Sequence, residues 1–149
     1  LPPLVARLAE VDGIAAIKES TGEMQRVAEI MRLCGDNIEV LCGCDTLPME
    51  MFAMGVQGWV AAPSNVVPKQ CVKLHELVAV DRNFEAGKEL YFKLLPLFTL
   101  FESTGKYVQL AKAGLDMLGR PIGPPRQPLL PVSDEEKGQL KAILDDILE

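Results

Sequence analysis

A lysine closes an apolar run in the segment GIAAIKES, residues 13–20. If residues 14–17 form a buried strand, Lys18 lies at its carboxyl end. An amine attacks a ketone carbonyl only in its neutral form, and burial lowers the pKa of a lysine from about 10.4 by up to several units. The protonated imine that results withdraws electrons and makes the adjacent carbon acidic. Lys18 is therefore a candidate Schiff-base nucleophile.

The same lysine also has an ordinary structural explanation. A lysine at a strand end usually extends its ammonium group to water or to a carboxylate. Alternation along a strand places Ile14, Ala16 and Lys18 on one face, and the small Ala16 leaves room beside the lysine stem. Residue type and spacing alone leave both interpretations open.

No other residues of the chain form a recognisable catalytic or metal-binding motif. The four cysteines show neither CxxC spacing nor a nearby histidine pair, so we expect reduced thiols and no metal site. They are Cys34, Cys42, Cys44 and Cys71. The single histidine, His75, lies in a helical pattern and fits a packing or surface residue better than a general base.

Composition narrows the class of protein. The 149 residues are 48% hydrophobic and 24% charged, with a net charge of −6, as in an ordinary globular protein. Acidic and basic residues are interspersed, so no basic stripe is available for a nucleic acid. The most apolar stretch, residues 94–101, is far shorter than the roughly 20 residues of a membrane span, and no secretory signal opens the chain. We therefore expect neither a nucleic-acid nor a membrane partner.

Three segments repeat a pattern of turn, short apolar run and helix. The first predicts a strand at 14–17 and a helix that ends at Gly35, with Ser20 and Glu23 at capping-box spacing. The second contains IEVLCGCD and then a short helix to Met54, with Thr46 as N-cap and Pro48 in its first turn. The third contains GWVAAPSN and a helix from Pro68 through Val80. Such alternation predicts a parallel sheet covered by helices.

The remainder of the chain predicts helices alone. A helix is expected at 84–101 with a bend at Pro96, a second at 106–118, and a last one to Leu148, which Ser133 and Glu136 cap. The proline-rich segment GRPIGPPRQPLLP has few donors for regular structure, and the opening LPPLVARLAEV predicts a further helix. Three strands are too few for a closed (β/α)8 barrel of about 250 residues. Since the chain also begins with Leu1, we expect the second half of a larger protein.

The segments IKESTG, GCD and GVQGWVAAPSNVVP together resemble the dihydrodipicolinate synthase and N-acetylneuraminate lyase family. The segment GRPIGPPRQPLLPVS resembles the passage before that family's last helix. The resemblance implies an α/β protein built as a (β/α)8 TIM barrel with added C-terminal helices, which condenses or cleaves pyruvate-type 2-oxo acids. Residues 1–80 would then form the C-terminal part of the barrel, and residues 81–149 a C-terminal helical region.

The resemblance also implies roles for single residues. Lys18 matches the imine-forming lysine, and Gly43 and Asp45 match a Gly-x-Asp strand end near the second substrate. Val60 matches a position close to the lysine, and Ser20 is placed to contact the distal part of the substrate. Each of the last four also has a plain alternative: Gly43 permits a tight strand end, Asp45 or Ser20 caps a helix, and Val60 packs in the barrel.

Two motifs of the family are absent from this sequence. The Thr-Thr-Gly-type loop that binds the substrate carboxylate and the Tyr-Asn-x-Pro motif that relays protons do not occur, and Tyr91 and Tyr107 match neither. We therefore expect the isolated chain to be inactive. Thr46 after Asp45, and Ala62 in place of a hydroxyl residue, make the chain resemble dihydrodipicolinate synthase more than sialate lyase.

The predicted function is a class I aldolase or lyase that joins pyruvate to an aldehyde such as aspartate semialdehyde. The lysine imine needs no metal and no dissociable cofactor. By resemblance the intact enzyme is a cytoplasmic homotetramer, a dimer of dimers. The alternatives are an aldolase for a small 2-oxo-3-deoxy acid and a catalytically incomplete half-barrel that acts through association.

Overall fold

The computed structural model describes residues 1–149, which form seven α-helices and three β-strands. In chain order these are α1 (Pro2–Leu8), β1 (Ala16–Glu19), α2 (Met24–Cys34), β2 (Glu39–Cys42), α3 (Pro48–Ala53), β3 (Gly58–Trp59), α4 (Pro68–His75), α5 (Phe84–Thr104), α6 (Tyr107–Met117) and α7 (Asp134–Leu148). Two 3-10 turns lie at Gly35–Asn37 and Pro63–Asn65, and a π-helical turn, Glu76–Val80, continues α4. None of the helices combines the length and the apolar character that a membrane crossing requires.

The three strands form one parallel sheet in the order β1-β2-β3. Lys18 lies opposite Leu41, and Leu41 lies opposite Gly58, so the strands run side by side without a crossover. The outer strands β1 and β3 each have one strand neighbour, which leaves both edges of the sheet unpaired. The architecture is that of a partial (β/α)8 barrel, as the sequence predicts.

The two faces of the sheet have different surroundings. Val40 and Cys42 point to the face that the helices cover, and both are buried. The opposite face, here termed the open face, carries no layer of this chain. By strand alternation and register its members are Ala16, Lys18, Glu39, Leu41, Gly43, Gly58 and Val60. In a closed barrel this face lines the interior.

The buried apolar side chains form two clusters. The larger contains 18 residues, and it joins Phe52 and Leu74 to Phe98, Leu110 and Leu140. The smaller contains 9 residues and lies between the sheet and the first two helices. Trp59 packs against both clusters. The larger cluster takes residues from both sides of the proposed boundary at residues 80 and 81, so the two parts share one core.

Local signals predicted most helix ends correctly. Ser133 and Glu136 form the expected capping box of α7. Pro48 occupies the first turn of α3, and Gly35 follows α2 with a φ of +52°. The helix predicted over 84–101 extends to Thr104 with Pro96 inside it, and Gly105 ends it in the left-handed conformation with a φ of +64°.

Two predicted caps and one strand position were wrong. Glu23, not Ser20, is the N-cap residue of α2, and its N–H donates to the Thr21 hydroxyl. Leu47, not Thr46, is the N-cap residue of α3, and the Thr46 hydroxyl lies 3.5 Å from the Cys44 sulfur instead. The first strand lies at 16–19 rather than 14–17, since pairing with β2 begins at Ala16.

We predict that Phe98→Ala lowers the free energy of unfolding by about 3 to 5 kcal/mol, because truncation leaves a cavity in the larger cluster. Phe98 is 0% exposed and packs edge-on against Trp59, with a ring-centroid distance of 5.4 Å. Phe92→Ala, on the same helix but 59% exposed, is the matched control, and we expect a change within about 0.5 kcal/mol. Urea denaturation followed by circular dichroism measures both, and equal losses would contradict the core assignment.

Candidate active site

Lys18 and Gly43 are in close contact on the open face. A Cβ atom built on Gly43 would lie 2.7 Å from both Cγ and Cε of Lys18 and 2.1 Å from the Ser20 hydroxyl oxygen. Real Cβ atoms do not approach so closely, so any side chain at this position would force Lys18 and Ser20 to move. The Gly43 N–H also donates to the Glu19 carbonyl at 2.8 Å, which fixes the backbone of the two neighbouring strands. Three of the predicted site residues therefore lie together.

The burial expected around Lys18 is not found in this chain. Lys18, Ser20 and Ala16 are all exposed, because no strand of this chain covers the open face. The desolvated lysine was expected for a closed barrel, and it stays a prediction. Water would be excluded only if a further layer covered this face.

Val60 lies on the open face immediately after β3. Its N–H donates to the Cys42 carbonyl at 2.9 Å, and its side chain is 48% exposed. The carboxyl ends of all three strands meet at the same edge of the parallel sheet, where barrel enzymes place their catalytic residues. The sheet thus presents Lys18, Gly43 and Val60 from three successive strands at that edge.

Asp45 is buried between the strand ends, with 2% of its surface exposed. Its Oδ1 atom accepts hydrogen bonds from the Trp59 indole at 3.2 Å and from the Ala62 N–H at 3.3 Å. Asp45 therefore joins the end of β2 to the end of β3, and it does not cap α3. Its Oδ2 atom accepts no hydrogen bond from the chain.

The environment of Asp45 raises its pKa to about 7. Burial is the largest cause, and the neighbouring Glu102 carboxylate adds to it. The Ala62 N–H, the Trp59 indole and the Lys18 ammonium group favour the charged form and oppose the increase. The carboxyl group therefore takes up a proton near neutral pH, within the electrostatic reach of the candidate nucleophile.

Glu102, on α5, connects the strand ends to the C-terminal helices. Its Oε1 accepts the Asp45 N–H at 2.5 Å, and its Oε2 accepts the Tyr107 hydroxyl at 2.6 Å. On the other side of Asp45, the Tyr91 hydroxyl donates to the Thr46 carbonyl at 2.7 Å. The sequence alone does not predict these roles, because Glu102 and Tyr91 contact residues 57 and 45 positions earlier, and Tyr107 acts only through Glu102.

The cysteines and the histidine form no metal-binding group. No cluster of three or more His, Cys, Asp or Glu side chains suited to a metal ion occurs. Burial raises the pKa of Cys42 and that of Cys71 to about 12, so both thiols stay protonated and pack as small apolar groups. His75 packs edge-on against Phe52 at a centroid distance of 5.1 Å, and its Nε2 lies 2.7 Å from the Gln57 carbonyl, in agreement with a packing role.

Sequence comparisons match the chain to one family over nearly all its length. The profile of the dihydrodipicolinate synthetase family covers residues 1–147. The 4-hydroxy-tetrahydrodipicolinate synthase of Geotalea daltonii is 35% identical over 146 residues, which are 98% of this chain and 50% of that protein. The Methanothrix thermoacetophila protein of the same name is 38% identical over 145 residues, 96% of this chain and 48% of that protein. The chain thus spans about half the length of these relatives.

Solved structures agree with this result. Dihydrodipicolinate synthase from Thermotoga maritima superposes with a TM-score of 0.91 at 26% identity, over 99% of this chain and 50% of that one. The Aquifex aeolicus dihydrodipicolinate synthase superposes with a TM-score of 0.86 at 30% identity, over 95% and 48%. The fold of this chain is therefore shared with about half of each of these two proteins.

We predict that Asp45 makes the stability of the protein fall as pH rises. Its pKa is higher in the folded chain than the usual value of about 3.9, so the folded state binds more protons between those two values, and stability decreases as pH rises through them. Asn at this position keeps an oxygen for Trp59 and Ala62 but does not titrate. Between pH 5 and 8 we expect wild type to lose at least about 1.4 kcal/mol more unfolding free energy than Asp45→Asn, the equivalent of one pKa unit. Urea titrations at several pH values measure the difference, and parallel pH profiles would show that Asp45 is not the titrating group.

Proposed function

Because the chain belongs to the dihydrodipicolinate synthetase family, we propose that it supplies the nucleophile of a class I aldolase that joins pyruvate to an aldehyde. The observation that carries this proposal is the packing of the Lys18 stem against Gly43 at the carboxyl ends of the strands. A lysine with only a structural role would not need to be packed so closely against a glycine on the face that lines the barrel interior.

The proposed reaction begins when the neutral Nζ of Lys18 attacks the carbonyl carbon of pyruvate. The carbonyl oxygen takes up protons and leaves as water, which produces a protonated imine. This imine loses a proton from the methyl carbon and becomes an enamine. The enamine carbon then forms a bond to the aldehyde carbonyl carbon, while the aldehyde oxygen takes up a proton and becomes a hydroxyl group. Hydrolysis of the new imine releases the product and regenerates Lys18, so the cycle needs no metal or dissociable cofactor.

The neighbouring residues have proposed substrate-binding roles. Gly43 leaves space for the lysine stem, and Val60 contributes its side chain and carbonyl to the pocket wall. Ser20, whose hydroxyl lies next to Gly43, would contact the distal part of the substrate. Asp45 would act through Oδ2, since Oδ1 already accepts hydrogen bonds from Trp59 and Ala62.

We propose aspartate semialdehyde as the acceptor aldehyde, on the basis of the relatives named 4-hydroxy-tetrahydrodipicolinate synthase. The family's carboxylate-binding loop and relay tyrosine, which are absent from this sequence, would belong to an amino-terminal half that covers the open face. Such a layer would also exclude water from Lys18. The proposed assembly is a homo-oligomer, a tetramer of two dimers, in the cytoplasm.

We predict that pyruvate followed by borohydride traps an adduct on Lys18. The protein for this test is the chain mixed with the amino-terminal half of the Geotalea daltonii relative, and peptide mass mapping locates the modification. Lys18→Arg should form no adduct and show no turnover with unchanged circular dichroism, because a guanidinium group stays protonated. If Lys18 stays unmodified at saturating pyruvate, it is not the Schiff-base nucleophile. An adduct without condensation with aspartate semialdehyde would reject only the acceptor.

We also predict that Gly43→Ala lowers turnover by about a hundredfold, the effect expected when a reacting group moves by about 1 Å. The added methyl group must displace the Lys18 stem or Ser20, since it would lie within 2.7 Å of both. Gly138→Ala is the matched control, because a Cβ atom there meets nothing within 4 Å. Turnover of Gly43→Ala equal to that of the control would show that the contact does not position the lysine.

Alone, the 149-residue chain should self-associate and be inactive. The unpaired N–H and C=O groups of β1 and β3, together with exposed apolar side chains on the open face, favour contact with a second copy. Light scattering before and after addition of the amino-terminal half tests this self-association. We expect the mixture to form oligomers of defined size that condense pyruvate with the aldehyde. A monomeric chain that turns over pyruvate unaided would contradict the proposal.

A further inference from the structure

Glu102, which belongs to none of the sequence motifs, holds the segment that contains the Gly-x-Asp motif. This segment, here termed the strand-end loop, is residues 43–46, between β2 and the start of α3. Glu102 fixes the loop through the Asp45 N–H, while the Tyr91 hydroxyl fixes it through the Thr46 carbonyl. Both supporting side chains belong to α5, so one helix holds the loop at two successive residues.

The first residue of the strand-end loop is Gly43, which packs against the lysine stem. Any movement of the loop away from α5 therefore changes the wall on which the Lys18 stem lies. The second oxygen of Glu102 accepts the Tyr107 hydroxyl, so α6 orients the same carboxylate. This hydrogen bond is the largest cause that raises the pKa of Tyr107 to about 12, and the hydroxyl remains a donor across the neutral range.

We infer that Glu102 is a positioning residue for Lys18: its carboxylate, oriented by Tyr107, holds the strand-end loop so that Gly43 stays against the lysine stem. The inference rests on the proposed function and adds to it a role for the C-terminal helical region. Glu102 itself touches neither the substrate nor the reacting atoms in this scheme.

The negative charge of Glu102 affects the pKa of Asp45, and an uncharged side chain that only packed there would not. The titratable groups that face Asp45 are Lys18 from β1, Cys42 from β2, Cys71 from α4, Glu102 from α5 and Tyr107 from α6. Cys44 of the loop also faces Glu102. Glu102 raises the pKa of Asp45, and Asp45 in turn accepts the indole N–H of Trp59, the only tryptophan of the chain. The emission of Trp59 therefore reports whether the Glu102 charge lies next to Asp45.

Amide hydrogen exchange of the 149-residue chain tests the hold on the loop. We expect Glu102→Ala to raise the exchange rate of the Asp45 amide by at least about tenfold, because its acceptor is lost. Glu102→Gln keeps an oxygen for this amide, so it should stay within about threefold of wild type. Glu89→Ala removes an exposed carboxylate from the same helix and serves as the control. Exchange in Glu102→Ala equal to that of the control would overturn the inference.

Tryptophan fluorescence tests the effect of the Glu102 charge. The variant is Glu102→Gln, which removes the charge but keeps the size of the side chain, so we expect the same fold. We expect the Trp59 emission of wild type to titrate near pH 7, and that of Glu102→Gln to titrate at lower pH because a neighbouring negative charge is gone. Glu89→Gln should leave the midpoint unchanged. An unchanged midpoint in Glu102→Gln would also overturn the inference.

Pyruvate trapping on the chain mixed with the amino-terminal half separates this inference from the proposed function. We expect Glu102→Ala to lower the Lys18 adduct at least about fivefold and Glu102→Gln to restore most of it. If wild type forms no adduct, the proposed function fails, while exchange and emission still decide whether Glu102 holds the loop. If wild type forms the adduct and Glu102→Ala forms as much, the function stands and the positioning role is rejected.

Discussion

The buried carboxyl group of Asp45 is the interaction on which the candidate site depends. Its side chain accepts hydrogen bonds from β3 and from the residues that follow it, and its backbone N–H donates to Glu102 on α5. Burying a carboxyl group is costly unless its hydrogen bonds are made, so these partners must all be in place for the fold to be stable. The result is a rigid junction of two strand ends and one helix, two residues from the glycine that contacts Lys18.

Short-range chemistry made much of the fold predictable from the sequence. Proline at the start of α3, glycine after α2 and the Ser133–Glu136 pair before α7 act within one helical turn, so their effect does not depend on distant parts of the chain. The parallel sheet followed from apolar runs that alternate with helices. The lysine, the Gly-x-Asp segment and their order along the chain were likewise visible as a family pattern.

The errors and omissions arise where distant residues compete for a local group. Ser20 and Thr46 have the residue type and spacing of helix caps, yet the Ser20 hydroxyl lies beside Gly43 and the Thr46 hydroxyl lies 3.5 Å from the Cys44 sulfur. Glu102 reads as an ordinary helix residue in the sequence, because its partners are 57 residues earlier and 5 residues later. The exposure of Lys18 agrees with the predicted half-barrel, since no strand of this chain covers the open face.

The division of the apolar residues into two clusters has a consequence for how the protein opens. Local unfolding free energies follow the number of buried contacts that each unit loses, so the 9-residue cluster should open more readily than the 18-residue one. Lys18 belongs to β1, whose covered face packs on the smaller cluster, whereas the strand-end loop is anchored to α5 in the larger. Transient detachment of the first helices and β1 would therefore separate the nucleophile from its supporting wall while most of the chain stays folded. A ligand that contacts both β1 and the strand-end loop would suppress this opening. Its binding would then slow amide hydrogen exchange in both segments.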